Sequence, residues 1–266
     1  MKKSNPFNLP LKALLLLFFI SFSFRSFGAP KQMYYEIRIY TVTGAAQEGR
    51  VDAFLRDAYL PALHRAGISK AGVFKPVETD TASFGKLIYL FVPFKTMDEY
   101  AELPGILGKD KAYAEAGKSF IEAPFDNPPY ARHQSILLKA FEFMPQFAAP
   151  SFTTPVTERI YELRSYESAT EAKAAKKIQM FNQGGEIGLF AKLKFNAVFY
   201  GEVLAGIEKP NLMYMTTFQD LKTHDELWKS FGGSPEWKQI SGLEEYKNTV
   251  STIHVHLWHP TSYSDF

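Results

Sequence analysis

The sequence contains no cysteine among its 266 residues, and this absence excludes several kinds of chemistry at once. The chain can form no disulfide, offers no cysteine nucleophile and cannot carry a lipid-modified N-terminal cysteine. It also lacks a glycine-rich phosphate loop and a His-Glu-x-x-His metalloprotease pattern. Hydrolases and nucleotide-dependent enzymes are therefore disfavoured.

Long hydrophobic runs are scarce as well, and the one near the N terminus is too short for a membrane anchor. It spans the eight residues 13–20, well below the ~20 residues that cross a bilayer. Lysines precede this run and small residues follow it near Gly28 and Ala29, which is typical of an export signal. We therefore predict a signal peptide at residues 1–29, cleaved near Gly28 or Ala29, and a periplasmic or secreted mature protein.

Basic character is also lacking once the predicted signal is set aside. The whole chain has a formal net charge of +2, but residues 1–29 hold four of its 30 Lys and Arg residues and none of its acids. Residues 30–266 therefore have a net charge of −2, without a run of Lys and Arg interleaved with aromatic residues. A nucleic-acid partner is not expected.

What the sequence does contain is an internal repeat. Residues Tyr35–Tyr40 read Tyr-Glu-Ile-Arg-Ile-Tyr, and residues Tyr161–Tyr166, which lie 126 positions later, read Tyr-Glu-Leu-Arg-Ser-Tyr. Both hexapeptides alternate with a period of two, which is typical of a half-buried β-strand. The segments downstream also match, so we predict a first repeat at residues 30–145, a linker at 146–157 and a second repeat at 158–266.

Each repeat predicts the order β-α-β-β-α-β, an α+β ferredoxin-like unit with strand order 4-1-3-2 and antiparallel neighbours. The strands predicted after the first of each repeat are residues 72–77, 86–94 and 134–143, and then 197–203, 211–218 and 250–258. Two helices would cover one face of each sheet. The bare faces are expected to cover each other by stacking one sheet on the other.

Three segments fit the capping box Ser/Thr-x-x-Glu, in which a hydroxyl and a carboxylate satisfy the free amides of a helix start. They are residues 96–99, 168–171 and 223–226. The pattern assigns the acids of these segments to helix capping rather than to catalysis. It also places His224 at an exposed helix start.

Together these features resemble the NIPSNAP family, whose members belong to the dimeric α/β-barrel superfamily. The resemblance rests on the two strand hexapeptides, the helix end Leu63–Ile68, and Trp228-x-x-Phe231 followed by Pro-Glu-Trp at 235–237. It spans nearly all of residues 30–266, although repeat one has no Pro-Glu-Trp element. The resemblance implies tandem ferredoxin-like repeats that form a dimeric α/β-barrel-type fold. Relatives across that superfamily include cofactor-free monooxygenases, haem-handling enzymes and small isomerases.

The candidate site comes from the alternation of the strands. We expect Ile37, Ile39 and Leu163 to face the helices, which turns the polar residues between them toward the space between the sheets. In the last strand, His254 and His256 are placed on the same side as those polar residues. The predicted substrate-binding residues are Glu162, Arg164, Tyr166 and Arg38, and the candidate catalytic residues are His254 and His256.

Several interpretations of this cluster remain open. In the first, Glu162 pairs with Arg164, and the histidines form hydrogen bonds within a polar layer. In the second, Arg164 binds an anionic group, and His254 or His256 transfers a proton. A metal held by both histidines and Glu162 is a third reading, but the i, i+2 spacing is common on strands. Repeat one is expected to carry Lys139 in place of a histidine, followed two residues later by an aromatic residue, so the site should occur once.

The aromatic-rich core with few convergent acids and bases favours an exported, non-catalytic protein. Such a protein would bind a small, partly apolar ligand or a protein partner between or beside its sheets. The alternative is a cofactor-independent isomerase or monooxygenase that uses His254 and His256. No cofactor, no metal and no stable membrane anchor after signal cleavage are expected. A homodimer through outer sheet edges is implied by the resemblance, with a monomeric two-repeat barrel as the alternative.

Overall fold

The computed structural model describes residues 1–2, 30–150 and 152–266. The predicted signal peptide at residues 1–29 lies almost entirely outside this range. Within the described part of the chain, no helix is both long enough and apolar enough to span a bilayer.

Eight antiparallel strands form one closed barrel in the order β1-β3-β2-β8-β5-β7-β6-β4. Their bounds are β1 Tyr34–Thr41, β2 Gly72–Pro76, β3 Leu87–Phe94, β4 Arg132–Ala140, β5 Ile160–Glu167, β6 Asn196–Ala205, β7 Asn211–Phe218 and β8 Thr252–Pro260. Each repeat supplies four consecutive strands in the order 4-1-3-2. The predicted α+β architecture of tandem ferredoxin-like units is therefore confirmed.

The two sheets are joined at both of their edges. Strand β2 pairs with β8, and β4 pairs with β6 through a register shift at Leu137/Leu138. The prediction that two separate sheets stack face to face is therefore incomplete, because edge pairing closes them into a barrel. Since every described strand has a neighbour on both sides, a homodimer through outer sheet edges has no free edge to use.

The barrel interior is filled with large apolar side chains from both repeats. Tyr35 lies 5.1 Å from Phe199 and Phe74 lies 4.8 Å from Tyr161, measured between ring centroids, so the two sheets interlock. The buried cluster at the barrel centre includes Ile37 and Leu163. These residues were expected to face the helices, and that prediction is wrong. A closed eight-stranded barrel has room only for packed side chains, which makes the aromatic and aliphatic face the inner one.

The helices cover the outer face of the barrel. Their bounds are α1 Ala45–Phe54, α2 Leu60–Arg65, α3 Met97–Leu107, α4 Lys111–Ala116, α5 Lys118–Ile121, α6 Glu171–Phe181, α7 Glu186–Lys192, α8 Leu221–Gly233 and α9 Pro235–Gly242. A π-helical turn at Leu55–Tyr59 joins α1 to α2. Helices of repeat one pack on Tyr40, and those of repeat two pack on Tyr166. The polar hexapeptide residues therefore lie under the helices rather than between the sheets.

Only one of the three predicted capping boxes lies where it was expected. Thr96 accepts a hydrogen bond from the Glu99 amide, and the Glu99 carboxylate accepts one from the Lys95 amide. In repeat two the cap of α8 is Asp220, whose carboxylate accepts from the Thr223 amide. Asp220 has the extended backbone of a cap residue and binds a free amide of the first helical turn, so α8 starts one turn before the predicted box.

The remaining box is displaced by two residues. Thr170 caps α6 by accepting from the Lys173 amide, whereas the predicted cap Ser168 donates its hydroxyl to the Thr249 carbonyl. Both hydroxyl residues are thus satisfied, but only Thr170 has the extended backbone that precedes the first turn.

Candidate functional site

Each repeat has a cavity between the outer face of its sheet and its helices. The repeat-one cavity has a volume of about 440 Å³ and is lined by Glu36, Arg38, Tyr59, Tyr100, Leu103 and Tyr113, among others. The repeat-two cavity has a volume of about 420 Å³, and its lining includes Arg164, Tyr166, Lys177, Glu186, Trp228 and Trp237. Volumes of this size are typical of small-molecule sites.

The same three residue types form a hydrogen-bonded group under both cavities, and in each repeat the arginine of this group lines the cavity. In repeat one, Arg38 Nη2 lies 3.1 Å from both carboxylate oxygens of Glu36, and Arg38 Nη1 donates to the Tyr40 hydroxyl at 3.4 Å. Ser135 on the neighbouring strand donates to Glu36 Oε1. The Glu36 side chain is 3% exposed whereas that of Arg38 is 21% exposed. The carboxylate is therefore the buried anchor, and the guanidinium is the accessible group.

Repeat two holds its arginine more tightly. Arg164 Nε donates to Glu162 Oε1 at 2.7 Å, and Arg164 Nη1 reaches the Tyr166 hydroxyl at 3.4 Å. Trp228 Nε1 donates to Glu162 Oε2 at 2.5 Å, and the Arg164 guanidinium carbon lies 3.7 Å from the centroid of the Trp228 ring. In repeat one the cation–π contact of Arg38 is made with Tyr59, which lies between α1 and α2 rather than on α3, the counterpart of α8, and it is 5.2 Å long. Stacking on Trp228 fixes the plane of the Arg164 guanidinium.

His224 belongs to this site, although the sequence placed it at an exposed helix start. Its side chain is only 12% exposed, and its Nε2 lies 3.5 Å from Glu162 Oε2, too far for a good hydrogen bond. Its Nδ1 pairs with Asp225 Oδ1 at 2.8 Å. Burial alone lowers the pKa of His224, but the carboxylates of Glu162 and Asp225 outweigh burial and raise that pKa above its ordinary value.

One buried phenol in each cavity, Tyr59 and Tyr214, stays uncharged at neutral pH. Burial raises the pKa of Tyr59 in repeat one and holds the pKa of Tyr214 in repeat two well above its ordinary value. Neutral phenols can donate or accept hydrogen bonds at a ligand. The arrangement can therefore bind a polar group through an arginine and enclose an apolar body between aromatic rings.

The histidine pair does not share a face with the predicted substrate-binding residues. His256 lies opposite Leu163 and His254 lies opposite Ser165, whereas Arg164 faces Val255. The expectation that the pair adjoins Glu162, Arg164 and Tyr166 is therefore wrong. The register differs from the expected one by one residue, and such a shift moves a side chain to the other face of a sheet. The His256 ring lies 6.1 Å from Tyr89 at the barrel interior, and burial lowers the pKa of His256.

The repeat-one counterparts of the histidines also differ from the prediction, which was Lys139 and Phe141. Ile37 faces Ile136 and Ile39 faces Gln134 across β1 and β4. Since Ile37 corresponds to Leu163, the counterparts of His256 and His254 are Ile136 and Gln134. The histidine pair remains specific to repeat two.

Within residues 30–150 and 152–266, one group has the composition and spacing of a metal site. Ligand atoms of Glu167, Glu208 and His254 all lie within 4.8 Å of one another. His254 Nε2 is already paired with Glu167 Oε1 at 2.6 Å, which accounts for two of the three residues without an ion. The metal site considered from the sequence, with His256 and Glu162 as further ligands, is not assembled because Glu162 lies on the opposite face of the barrel wall.

Sequence reasoning missed the roles of Lys177, Glu186 and Trp228, which line the repeat-two cavity, and of His224, which lies beside Glu162. A signal was present for two of them, because His224 and Trp228 are four residues apart and so share one face of α8. Lys177 and Glu186 gave no signal, since lysines and acids in amphipathic helices usually face solvent.

The family comparison matches the second repeat. The model of the NIPSNAP family matches residues 161–265, which include both cavity tryptophans and the whole of β8. No curated protein matches this sequence.

Solved structures extend the likeness to the whole barrel. A "putative monooxygenase" from Fusobacterium nucleatum is 7% identical with a TM-score of 0.56, over 86% of this chain and 93% of its own. One from Lactobacillus acidophilus is 11% identical with a TM-score of 0.52, over 86% and 94%. An anthrone oxidase-like protein is 8% identical with a TM-score of 0.50, over 88% and 93%. At these identities the likeness shows the fold, a dimeric α/β-barrel type, and not the activity.

Proposed function

Residues 161–265 of this chain match the NIPSNAP family model, and from that match we propose that the protein binds small, partly apolar ligands in its two helix-covered cavities. Arg38 and Arg164 supply the polar contact in repeat one and repeat two, respectively. We further propose that binding takes place outside the cytoplasm, in a periplasmic or secreted protein. The export pattern of residues 1–29 supports that location.

The observation that carries the proposal is the duplicated base of the two cavities. In both repeats a buried glutamate neutralises an arginine whose side chain keeps about a fifth of its surface exposed, 21% for Arg38 and 19% for Arg164. The ion pair between arginine and glutamate does not by itself require a cavity beside it, so the cavity needs another explanation. The exposed part of the arginine lies at a cavity lined by aromatic and aliphatic side chains together with polar groups, which is the usual composition of a ligand site.

The alternative of a His254/His256 enzyme has less support. Neither histidine lines the repeat-one or the repeat-two cavity. His254 is paired with Glu167, and His256 lies against Tyr89 and Trp258. A catalytic histidine has to reach its substrate within hydrogen-bond distance or through one water. We therefore propose ligand binding rather than histidine catalysis.

A homodimer of this chain is a separate proposal that would require a surface other than a sheet edge. Ile253 and Val255 on β8 are 51% and 46% exposed, and both lie on the outer face of the barrel. Both are apolar, and Ile253 also lines the repeat-two cavity. Self-association is therefore tested first by analytical ultracentrifugation of an Ile253→Lys variant. A monomer in both the original protein and the variant would contradict the proposal.

Calorimetric titration tests the ligand proposal. The probes are 2-naphthol, 2-naphthamide and 2-naphthoate, which share one apolar body and differ in the polar group. The variants are Glu36→Gln/Arg38→Gln and Glu162→Gln/Arg164→Gln, in which both charges are removed together so that no buried carboxylate is left unpaired. We expect at least one probe to bind and each variant to lose one site.

The matched control is Arg132→Gln, because Arg132 is an exposed arginine at the start of β4. It should leave every binding constant unchanged. If all three probes fail to bind, or if both double variants bind as the original protein does, the proposal is wrong.

A further inference from the structure

Lys177 and Glu186 form a buried ion pair at the wall of the repeat-two cavity. Lys177 Nζ lies 2.7 Å from Glu186 Oε2, and the two side chains are 5% and 2% exposed. Lys177 lies on α6 and Glu186 is the first residue of α7. Both residues line the cavity that also contains Arg164. The ligand contacts proposed above use only the arginine and leave this pair without a role.

Repeat one shows that the fold does not need charges at these positions. At the offset of 126 residues that relates the first strands, Lys177 corresponds to Val51 and Glu186 to Leu60. Each of these counterparts has the same place in its helix, and they are 0% and 3% exposed within an apolar cluster. Removing two charges from water is costly, and an apolar pair is often equally stable or more stable. Stability alone therefore does not explain the ion pair.

The surroundings of Lys177 leave its ammonium group free to bind a further acceptor. Nζ contacts Glu186 and, at 3.4 Å, Met180 Sδ, and an ammonium group has three donors. The rings of Phe181 and Tyr166 lie 4.6 and 5.6 Å from Nζ. Tyr166 also accepts from Arg164, so one phenol lies beside both cations.

We infer that the repeat-two cavity takes a small aromatic carboxylate, whose carboxylate is bound by Lys177 and Arg164 together. Glu186 is a positioning residue, which holds Lys177 in place. The rings of Trp228 and Trp237 enclose the aromatic body of the ligand. The repeat-one cavity has one cation, Arg38, and discriminates less between charged and uncharged ligands. This inference rests on the proposed function, because it specifies the ligand class of one of the two cavities.

The charges around Glu186 give the inference a second consequence. Burial raises the pKa of Glu186, and this increase is opposed by Lys177 and Arg164. The ionisable groups that face Glu186 are Lys177 on α6, Arg164 and Tyr166 on β5, Tyr200 on β6 and Tyr214 on β7. A ligand carboxylate that draws on both cations weakens their hold on the Glu186 anion, so binding should take up a proton. Affinity for the carboxylate should therefore fall as the pH rises.

The test compares 2-naphthoate with 2-naphthamide on the whole protein and on the variant Lys177→Val/Glu186→Leu, which carries the residue types of repeat one. We expect the variant to lose about ten- to a hundredfold in affinity for naphthoate, the range for a lost charge-assisted contact. Its affinity for naphthamide should change by less than about threefold. Equal losses for both probes, or no loss, would overturn the inference.

A second measurement needs no variant and remains informative if the substituted protein does not fold. Calorimetry of 2-naphthoate in two buffers of different ionisation enthalpy reports the protons exchanged per ligand bound. We expect net proton uptake for naphthoate and none for naphthamide, whereas zero uptake for both would contradict the role of Glu186. A third outcome separates this inference from the proposed function. If naphthamide binding depends on Arg164 but naphthoate binds no more tightly than naphthamide, this inference is wrong and the proposed function still holds.

Discussion

The two cavities of this barrel share a base and differ in their walls. Arg38 and Arg164 are each held by a glutamate two residues earlier, and each reaches a tyrosine two residues later. Above that base, repeat one has tyrosines and leucines, whereas repeat two adds Trp228, Trp237 and the pair Lys177–Glu186. The first strands of the two repeats, β1 and β5, are thus similar, whereas the helices around the two cavities differ.

The difference shows which parts of a duplicated fold are constrained by packing. The barrel interior needs side chains from both repeats to interlock, so a change in one sheet affects the other. The helix-covered cavities do not touch across the barrel, and each can change alone. Substitutions at corresponding positions of the two repeats therefore test the comparison directly.

The largest expected effect is at the buried ion pair. Lys177→Val leaves the Glu186 carboxylate without its partner and should lower the free energy of unfolding by about 3–5 kcal/mol. Adding Glu186→Leu should recover stability to within about 1 kcal/mol of the original protein, because repeat one is packed that way. Urea denaturation monitored by circular dichroism measures both. A double variant as unstable as the single one would show that repeat one is not a valid template for these positions.

The barrel interior should respond next, and in both repeats. Trp258 and Leu138 both face the barrel centre, as partners of Tyr161 and Tyr35. We expect Trp258→Ala to cost about 3–5 kcal/mol and Leu138→Ala about 2–4 kcal/mol, in proportion to the cavity each leaves. Thermal and urea unfolding of the two variants provide the comparison. Two separate unfolding transitions would contradict a shared interior.

Helix capping offers a smaller and more local test. Thr96→Ala should destabilise by about 1 kcal/mol, and Asp220→Ala should do the same in repeat two. Thr223→Ala, at the position that sequence similarity matches to Thr96, should cost less than either, because its side chain caps no helix. Equal losses of stability for Thr223→Ala and Asp220→Ala would show that Thr223 also caps α8, as Thr96 caps α3.

The pH dependence of His224 is expected to be specific to repeat two, since Met97 occupies the matching place in repeat one. The pKa of His224 is raised by Glu162 and Asp225 in the folded protein. Its stabilising contribution is therefore fully present below the unfolded pKa of about 6.5 and is lost as the pH rises through the folded pKa. Compared with His224→Asn, the original protein should have its greatest advantage near pH 5.5. An advantage that grows toward pH 8 would reverse the sign.

The smallest effect is expected from the histidines of β8. A His254→Ala/His256→Ala variant should keep the affinity of both cavities within about twofold, because sites that share no partner act independently. Calorimetry with 2-naphthamide measures this. A large loss of naphthamide binding would show that the histidine pair contributes to a ligand site, which would contradict the assignment of binding to the two cavities.

The architecture was predictable from the sequence because its signals are local. The period of two in the hexapeptides, the apolar run of β3 and the turns between strands fix the order of elements and, with it, the 4-1-3-2 sheets. The pairing of β2 with β8 and of β4 with β6 was not predictable in the same way. It depends on how two sheets meet in space, and no local pattern encodes that.

The face of each strand that lies inside the barrel could not be read from alternation. A period of two separates Glu36 and Arg38 from Ile37 but does not say which set lies under the helices. The predicted contact between His256 and Glu162 failed for the same reason: His256 does lie between the sheets, but Glu162 and Arg164 face the helices. The helix residues Lys177 and Glu186 were missed because their burial comes from tertiary contacts, such as those of Lys177 with Tyr166 and Trp237.

Native mass spectrometry of the protein with 2-naphthamide tests the central claim most directly, because it counts the ligands bound to each chain. We predict two molecules on the original protein, one on Glu36→Gln/Arg38→Gln and one on Glu162→Gln/Arg164→Gln. The combination of all four substitutions should bind none while keeping the circular dichroism spectrum of the original protein. The same number of bound molecules on all four proteins would contradict this claim.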